Sequence, residues 1–145
     1  MTPLPLLFAS DHAGYALKEL LKTHAESLGY TPLDKGPHST DSVDYPDYAA
    51  ALCQALPQEA PKGVLICGSG LGISIAANRF RHIRAALAHD HLTAKLCRVH
   101  NDANVLVLGE RLIGTETAKD CLEIFLATDF AGGRHQRRVD KLGTL

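Results

Sequence analysis

The sequence predicts an α/β protein: a three-layer α/β/α Rossmann-like domain with a five-stranded parallel sheet and a C-terminal helix. Two observations lead to this prediction. Short apolar runs of strand length alternate with segments of helical periodicity along the whole chain, and the joints between them are short. The predicted strands are also apolar throughout rather than at alternate positions, which is typical of parallel strands covered by helices on both faces.

The composition is that of one soluble domain spanning residues 1–145. The chain is 46% hydrophobic and 21% charged, with a net charge of −1, which argues against a nucleic-acid partner. No apolar run approaches the ~20 residues of a membrane span, and the first residues lack the basic stretch of a signal peptide. The four cysteines are widely spaced without a CxxC pair. This spacing argues against disulfides or a thiolate zinc site and favours the reducing cytoplasm.

The first half of the chain contains two predicted strand–helix units. Its elements are a strand over residues 6–10, a helix ending before Gly29, a strand over residues 30–33, a polar loop over residues 34–44 and a helix over about residues 45–56. Asp11 is placed to cap the first helix, and Gly29 has the position of a glycine that ends one. Pro32 weakens the second strand.

The second half continues the alternation. Its elements are a strand over residues 64–67, a helix over about residues 71–78, a strand over residues 83–88, a helix ending near residue 99, a strand over residues 104–108, a helix over about residues 115–130 and a last helix over residues 134–142. We expect His100, Asn101 and Asp102 to form a polar joint before the fifth strand. Gly132 and Gly133 separate the last two helices.

The chain is organised around residues 64–79, which read VLICGSGLGISIAANR. An apolar strand ends at Cys67, three glycines follow at alternate positions, and a helix of small residues begins at once. Backbone N–H groups and the positive end of the helix dipole meet at such a turn, so it suits an anion or a developing oxyanion. An isolated cysteine is more often a small buried apolar side chain, but a thiol at this turn can act as a base or nucleophile.

The glycine turn also has a nucleotide-binding interpretation. The dinucleotide fingerprint is G-x-G-x-x-G in the first strand–helix unit, whereas this chain has G-x-G-x-G after its third strand. Asp90 follows Gly72 at roughly the distance of a ribose-binding acid. The third glycine is out of step and no Walker lysine follows, so this interpretation is the weaker one but stays open.

Polar residues follow several predicted strands at the edge where ligands bind in such sheets. They are Asp11 and His12 after the first strand, the stretch from Cys67 after the third, His89 and His91 after the fourth, and Arg111 after the fifth. His89 and His91 could suggest a metal, but no third ligand at a regular spacing supports one, and we interpret them as solvated or structural.

Three arginines lie on the last predicted helix. Arg134 and Arg138 are four residues apart, so both can project from one face toward a single phosphate, whereas Arg137 points elsewhere. The alternative is a solvated basic helix end, which is the usual role of a charge run.

The chain resembles the type B ribose 5-phosphate isomerases and the related galactose 6-phosphate isomerase subunits along nearly its whole length. Separate motifs carry the resemblance in the same order: SDHAG from Ser10, DYP from Asp44, CGSGLGISIAAN from Cys67, HNDAN from His100, GER from Gly109 and GGRH from Gly132. The resemblance implies interconversion of an aldose phosphate and its ketose without a metal or other cofactor. It also implies a homodimer, or a dimer of dimers, whose active sites draw residues from both subunits.

The resemblance also implies roles for individual residues. Cys67 corresponds to the base that moves a proton between C1 and C2, and His100 to the acid that opens the sugar ring, with Asp11 handling a ring hydroxyl proton. The implied enediolate ligands are Gly68, Ser69, Gly70, Leu71 and Gly72, with the Ser69 hydroxyl taking part in catalysis. The implied phosphate ligands are His12, Arg111, Arg134 and Arg138, and Asn101 would hold a sugar hydroxyl. Some relatives use a glutamate in the helix after the turn, but residues 71–78 here contain no acid.

Two classes of function therefore remain open. The favoured one is a ribose 5-phosphate isomerase of the non-oxidative pentose phosphate pathway. Within that class, allose 6-phosphate, galactose 6-phosphate and erythrulose 4-phosphate are alternative substrates. The other class is a nucleotide-binding or sensory module on a similar sheet, because a fold alone does not fix function.

Overall fold

A computed structural model describes residues 2–145 of the chain. Within these residues the structure contains five β-strands, six α-helices and a short 3-10 turn, His12–Gly14. The strands are β1 (Leu4–Ser10), β2 (Tyr30–Asp34), β3 (Gly63–Cys67), β4 (Ala85–Leu87) and β5 (Val105–Gly109). The helices are α1 (Tyr15–Ser27), α2 (Tyr45–Ala55), α3 (Leu71–Ala77), α4 (His91–Asn101), α5 (Thr115–Ala127) and α6 (Arg134–Leu142). No helix in this part of the chain is long and apolar enough to cross a membrane.

The five strands form one parallel sheet in the order β2-β1-β3-β5-β4. β1 pairs with β2 on one side and with β3 on the other, so Leu7 lies opposite both Leu33 and Gly63. β5 pairs with β3 and β4. β2 is an edge strand, and this position tolerates Pro32. The predicted fold class and all five strands are confirmed, and β1 and β3 lie side by side with their onward connections leaving in opposite directions.

Alternate residues of each central strand face two separate apolar layers. Leu6 and Phe8 point into a core built with α1, α4 and α5, whereas Leu7 and Ala9 point into a core built with α2 and α3. All four side chains are fully buried. Burial on both faces explains why the strands are apolar throughout, and α6 lies outside these layers against α4.

A buried ion pair fixes the loop between β2 and α2. Lys18 of α1 is fully buried, and its Nζ lies 2.8 and 2.9 Å from the two carboxylate oxygens of Asp34. The same ammonium group donates to the carbonyl of Pro37. Burial opposes the ionisation of Asp34, but hydrogen bonds from Lys18 and Lys22 outweigh it and lower the pKa of this carboxyl. The start of the loop is therefore tied to α1 by charged groups that could not remain buried unpaired.

Two helix ends differ from the sequence prediction because of one buried arginine. α4 continues through His100 and Asn101, so these residues form its last turn rather than a polar joint. Asp102 then ends the helix with a positive φ of 49°. The Arg98 guanidinium holds this end, with Nη1 2.8 Å from Oδ1 of Asp102. Its Nε also donates to the carbonyl of Thr128, and α5 accordingly ends at Ala127 rather than near residue 130.

Candidate active site

The carboxyl ends of β1 and β3 form a crevice at the centre of the sheet. β1 leads through α1 to one side of the sheet, and β3 leads through α3 to the other. In open α/β sheets a ligand site lies at such a reversal of strand order. The backbone N–H of Asp11 donates to the carbonyl of Ile66 at 3.2 Å and holds the two strand ends together.

The turn after β3 places a thiol beside backbone donors. Cys67 is the last residue of β3 and is 5% exposed. Its Sγ accepts a hydrogen bond of 3.1 Å from the N–H of Gly70. Gly70 has a φ of 79°, in the region that favours glycine, so the second glycine of the motif is required by the backbone. The Oγ of Ser69 accepts from the N–H of Leu71 at 3.1 Å, which leaves its hydroxyl proton free to donate elsewhere.

The other three cysteines lie in different surroundings. Burial raises the pKa of the Cys53 thiol to about 12 and that of Cys97 and Cys121 to about 11 each. All three belong to the apolar layers between helices and sheet, whereas Cys67 also lines the crevice. Cys67 is therefore the cysteine placed to react with a ligand.

Asp11 and His12 approach Cys67 from β1. Asp11 is 7% exposed, and its Oδ1 accepts from the N–H of Gly14 at 3.0 Å. The predicted capping role of Asp11 is correct, although it caps the 3-10 turn before α1. Nδ1 of His12 accepts from the N–H of Val43 at 3.1 Å, so the neutral ring carries its proton on Nε2.

The β2–α2 loop and the first residue of α2 contribute site residues that the sequence analysis did not assign. Val43 fixes the tautomer of His12 through its backbone, and no side-chain chemistry could reveal this role. Tyr45 lines the crevice, and a methyl group added at Gly72 would lie 2.6 Å from its ring carbon Cζ. The DYP motif was the available signal for Tyr45.

The turn after β5 closes the crevice from a third side. The backbone N–H groups of Glu110 and Arg111 donate to the carbonyls of Cys67 and Gly68 at 3.0 and 2.9 Å. The side chain of Glu110 reaches across to α1, where its Oε1 accepts from the N–H of Leu17 at 2.6 Å. A methyl group at Gly109 would lie 2.5 Å from the carbonyl oxygen of Ser69, so only glycine permits this approach.

The crevice has a volume of about 370 Å3. Its lining residues are Asp11, His12, Ala13, Tyr45, Cys67, Gly68, Ser69, Gly72, Arg111 and Leu112. A thiol, a carboxylate, an imidazole and a guanidinium therefore surround one small cavity. Two of the ligands predicted from the glycine turn do not line it: Gly70 is buried within the turn, and Leu71 is 56% exposed at the start of α3.

Four predicted site residues lie elsewhere in the chain. α4 begins after the carboxyl end of β4 and extends over about 16 Å, at ~1.5 Å per residue, to the amino end of β5. His100 and Asn101 in its last turn therefore lie at the amino ends of the strands, whereas Cys67 lies at the carboxyl end of β3. α6 packs against α4, and this contact places Arg134 and Arg138 beside His100 and Asn101. Both arginines are exposed. We call the set His100, Asn101, Arg134, His135 and Arg138 the α4–α6 cluster.

His89 and His91 lie outside the crevice. Nδ1 of His91 lies 3.0 Å from the Asp120 carboxylate, and His89 is exposed. Within residues 2–145 no group of three or more histidine, cysteine or acidic side chains could hold a metal ion. The interpretation of these two histidines as solvated or structural stays a prediction.

Comparison with known proteins identifies the family. The sequence model of the family described as Ribose/Galactose Isomerase matches residues 6–142. The ribose-5-phosphate isomerase B of Escherichia coli is 43% identical over 138 residues, which cover 94% of this chain and 93% of that protein. The chain belongs to the ribose/galactose isomerase family.

Solved structures agree with this assignment. A ribose 5-phosphate isomerase from Thermotoga maritima superimposes with a TM-score of 0.95 at 50% identity, covering 98% of this chain and 99% of that one. The ribose-5-phosphate isomerase B of Clostridium thermocellum gives a TM-score of 0.95 at 44% identity, covering 97% and 96% of the two chains. The resemblance inferred from the sequence is thereby confirmed.

The Glu110 contact leads to a prediction. Replacing Glu110 with alanine removes the acceptor for the Leu17 N–H and should lower the free energy of unfolding by about 1–2 kcal/mol. Glu110→Gln retains an acceptor oxygen and should recover most of that loss, as measured by urea denaturation. Glu116→Ala is the control, because the Glu116 side chain is 89% exposed. Equal losses for the glutamine and alanine variants would show that this hydrogen bond does not hold the turn.

Proposed function

We propose that this chain is an aldose–ketose isomerase that interconverts ribose 5-phosphate and ribulose 5-phosphate through an enediolate, without a metal cofactor. The observation that carries the proposal is the Cys67 thiol, which lines the crevice beside Asp11, His12 and Arg111. The ribose 5-phosphate isomerases among its relatives support the choice of substrate.

In the proposed reaction the Cys67 thiolate removes the proton from C2 of the open-chain aldose and returns it to C1. The negative charge that develops on the oxygens of the enediolate needs donors that are already in place. The free hydroxyl proton of Ser69 and the N–H groups of the turn are suited to this role. His12 presents Nε2–H, and Arg111 presents its guanidinium, as ligands for the phosphate.

We further propose that a second subunit completes the site with its α4–α6 cluster. His100, Arg134 and Arg138 lie at the amino ends of the strands, away from Cys67 of the same chain, so in the proposed site the ring-opening acid and two further phosphate ligands come from the second subunit. The outer face of α3 beside the crevice supports a subunit contact, because Leu71 and Ile75 are 56% and 66% exposed.

The shared site can be tested by subunit complementation. Cys67→Ala and His100→Asn homodimers should each be nearly inactive. After unfolding and refolding together at equal concentration, half of the dimers carry one of each subunit, and each of these has one intact site. Activity should then rise to about a quarter of that of the unmodified chain. A mixture that stays as inactive as its components would contradict the shared site.

The isomerase function itself is tested by following ribulose 5-phosphate formation from ribose 5-phosphate in the presence of a chelator. A panel of aldose phosphates, compared by kcat/KM, would rank the substrates, and ribose 5-phosphate should come first. Absence of turnover, together with thermal stabilisation by ATP or NAD but not by ribose 5-phosphate, would favour the nucleotide-binding alternative.

The phosphate clamp gives a separate prediction. Arg134→Ala or Arg138→Ala should raise KM strongly and lower kcat, because phosphate binding also positions the reacting carbons. Arg137→Ala is the matched control, since Arg137 lines a surface groove on α6 with Gln136 and Lys141. We expect at most a twofold change for the control, by the rule that exposed substitutions have small effects. Equal damage from all three substitutions would show that the helix-face argument is wrong.

A further inference from the structure

We propose that His135 is a positioning residue that orients the imidazole of His100. The two rings stack with their centroids 4.7 Å apart and their planes inclined by 23°. His100 lies in the last turn of α4 and His135 in the first turn of α6, so the stack forms at the contact between these helices. The proposal rests on the proposed function, in which His100 opens the sugar ring.

His100 has little else to hold its ring. Among residues 2–145 neither of its ring nitrogens has a hydrogen-bond partner, whereas catalytic histidines are commonly oriented by a partner on the second nitrogen. The face of His135 supplies orientation without occupying either nitrogen. Both nitrogens of His100 therefore stay available for substrate and solvent.

The charges around the stack favour different roles for the two rings. Loss of hydration lowers the pKa of His135, and the positive charges of His100, Arg134 and Arg138 lower it further. A neutral His135 can stack on the His100 ring without adding a further positive charge beside it. The geometry of the stack and the positive charges of α6 therefore both support a neutral His135 that orients His100.

His135 would support the opening of the sugar ring. Protonated His100 gives its proton to the ring oxygen O4 of ribose 5-phosphate as the C1–O4 bond breaks. The proton of the C1 hydroxyl passes to the Asp11 carboxylate of the other subunit, and the C1 aldehyde results. His135 exchanges no proton in this step, so its only role is to keep His100 in line with O4.

The test is a double-mutant cycle. We expect His135→Ala to lower kcat/KM for ribose 5-phosphate by about tenfold, and His135→Phe, which retains a stacking face, to stay within about twofold of the unmodified chain. In the His100→Asn background the His135→Ala substitution should cost no more than about a further twofold, because two residues that act as a unit are not additive. Competitive inhibition by ribitol 5-phosphate, which has no ring, should be unchanged in His135→Ala.

Three results would overturn this role. Full additivity of the two substitutions would show that His135 does not act through His100. Failure of His135→Phe to recover activity would show that stacking is not the relevant contact. A tenfold weaker inhibition by ribitol 5-phosphate would make His135 a phosphate ligand or a support for α6. An unmodified chain without ribose 5-phosphate turnover would instead refute the proposed function, so the two failures are distinguishable.

Discussion

Replacing Cys67 with alanine is expected to reduce kcat by about 10³-fold or more while leaving substrate binding nearly intact, since loss of a general base acts on the transition state. The thiol lies at the carboxyl end of β3, where the backbone nitrogen of Gly70 is 3.1 Å from its Sγ. The carboxylate of Asp11 is the main alternative base in the crevice. In the Cys67→Ala variant, incorporation of solvent deuterium at C2 of ribose 5-phosphate should be lost together with turnover.

The matched control for this substitution is Cys97→Ala. Cys97 is 6% exposed, a burial close to that of Cys67, but it lies in α4 with its thiol donating to the carbonyl of Ala94 at 3.2 Å. This variant should lose some stability and keep its kcat. Retained deuterium exchange in Cys67→Ala would show that another group, with Asp11 the first to examine, is the base.

The order of elements could be predicted because each local pattern agrees with the fold. Two-sided burial makes the strands uniformly apolar, and Gly29 and Gly70 have positive φ at the positions that the sequence indicates for turns. The end of α4 could not be predicted in this way. His100 and Asn101 have the polarity of a loop, and the helix continues because buried Arg98 binds Asp102 and the carbonyl of Ala103 from below.

The site could be predicted only in part, for a topological reason. The motif residues Asp11, Cys67 and Arg111 follow different strands, and the sequence places each at a carboxyl end without stating which strands are neighbours. The pairing of β3 with β1 on one side and with β5 on the other decides that they meet. A helix that connects two parallel strands runs back from the carboxyl end of one to the amino end of the next, so the predicted alternation already places the end of α4 away from Cys67. The contact between α6 and α4, which brings Arg134 and Arg138 beside His100, has no counterpart in the sequence pattern.

The second large effect concerns His100 and the choice of substrate. A ring-opening acid is useful only if the sugar arrives as a closed hemiacetal. A pentose 5-phosphate closes through its free O4, and a hexose 6-phosphate closes through O4 or O5, whereas a tetrose 4-phosphate has its O4 esterified and cannot close in this way. His100→Asn should therefore lower kcat/KM for ribose 5-phosphate by the ~10² to 10⁴ typical of a lost general acid.

The same substitution should hardly change the conversion of erythrose 4-phosphate, to whatever extent the unmodified chain accepts this sugar. Asparagine keeps the polarity and approximate size of the side chain at the end of α4, so a selective loss would report on proton transfer rather than on the fold. Parallel kcat/KM measurements on the two sugars decide between the roles. Equal losses on both would make His100 a binding or structural residue, and the preference for a ring-forming substrate would then have to rest on the relatives alone.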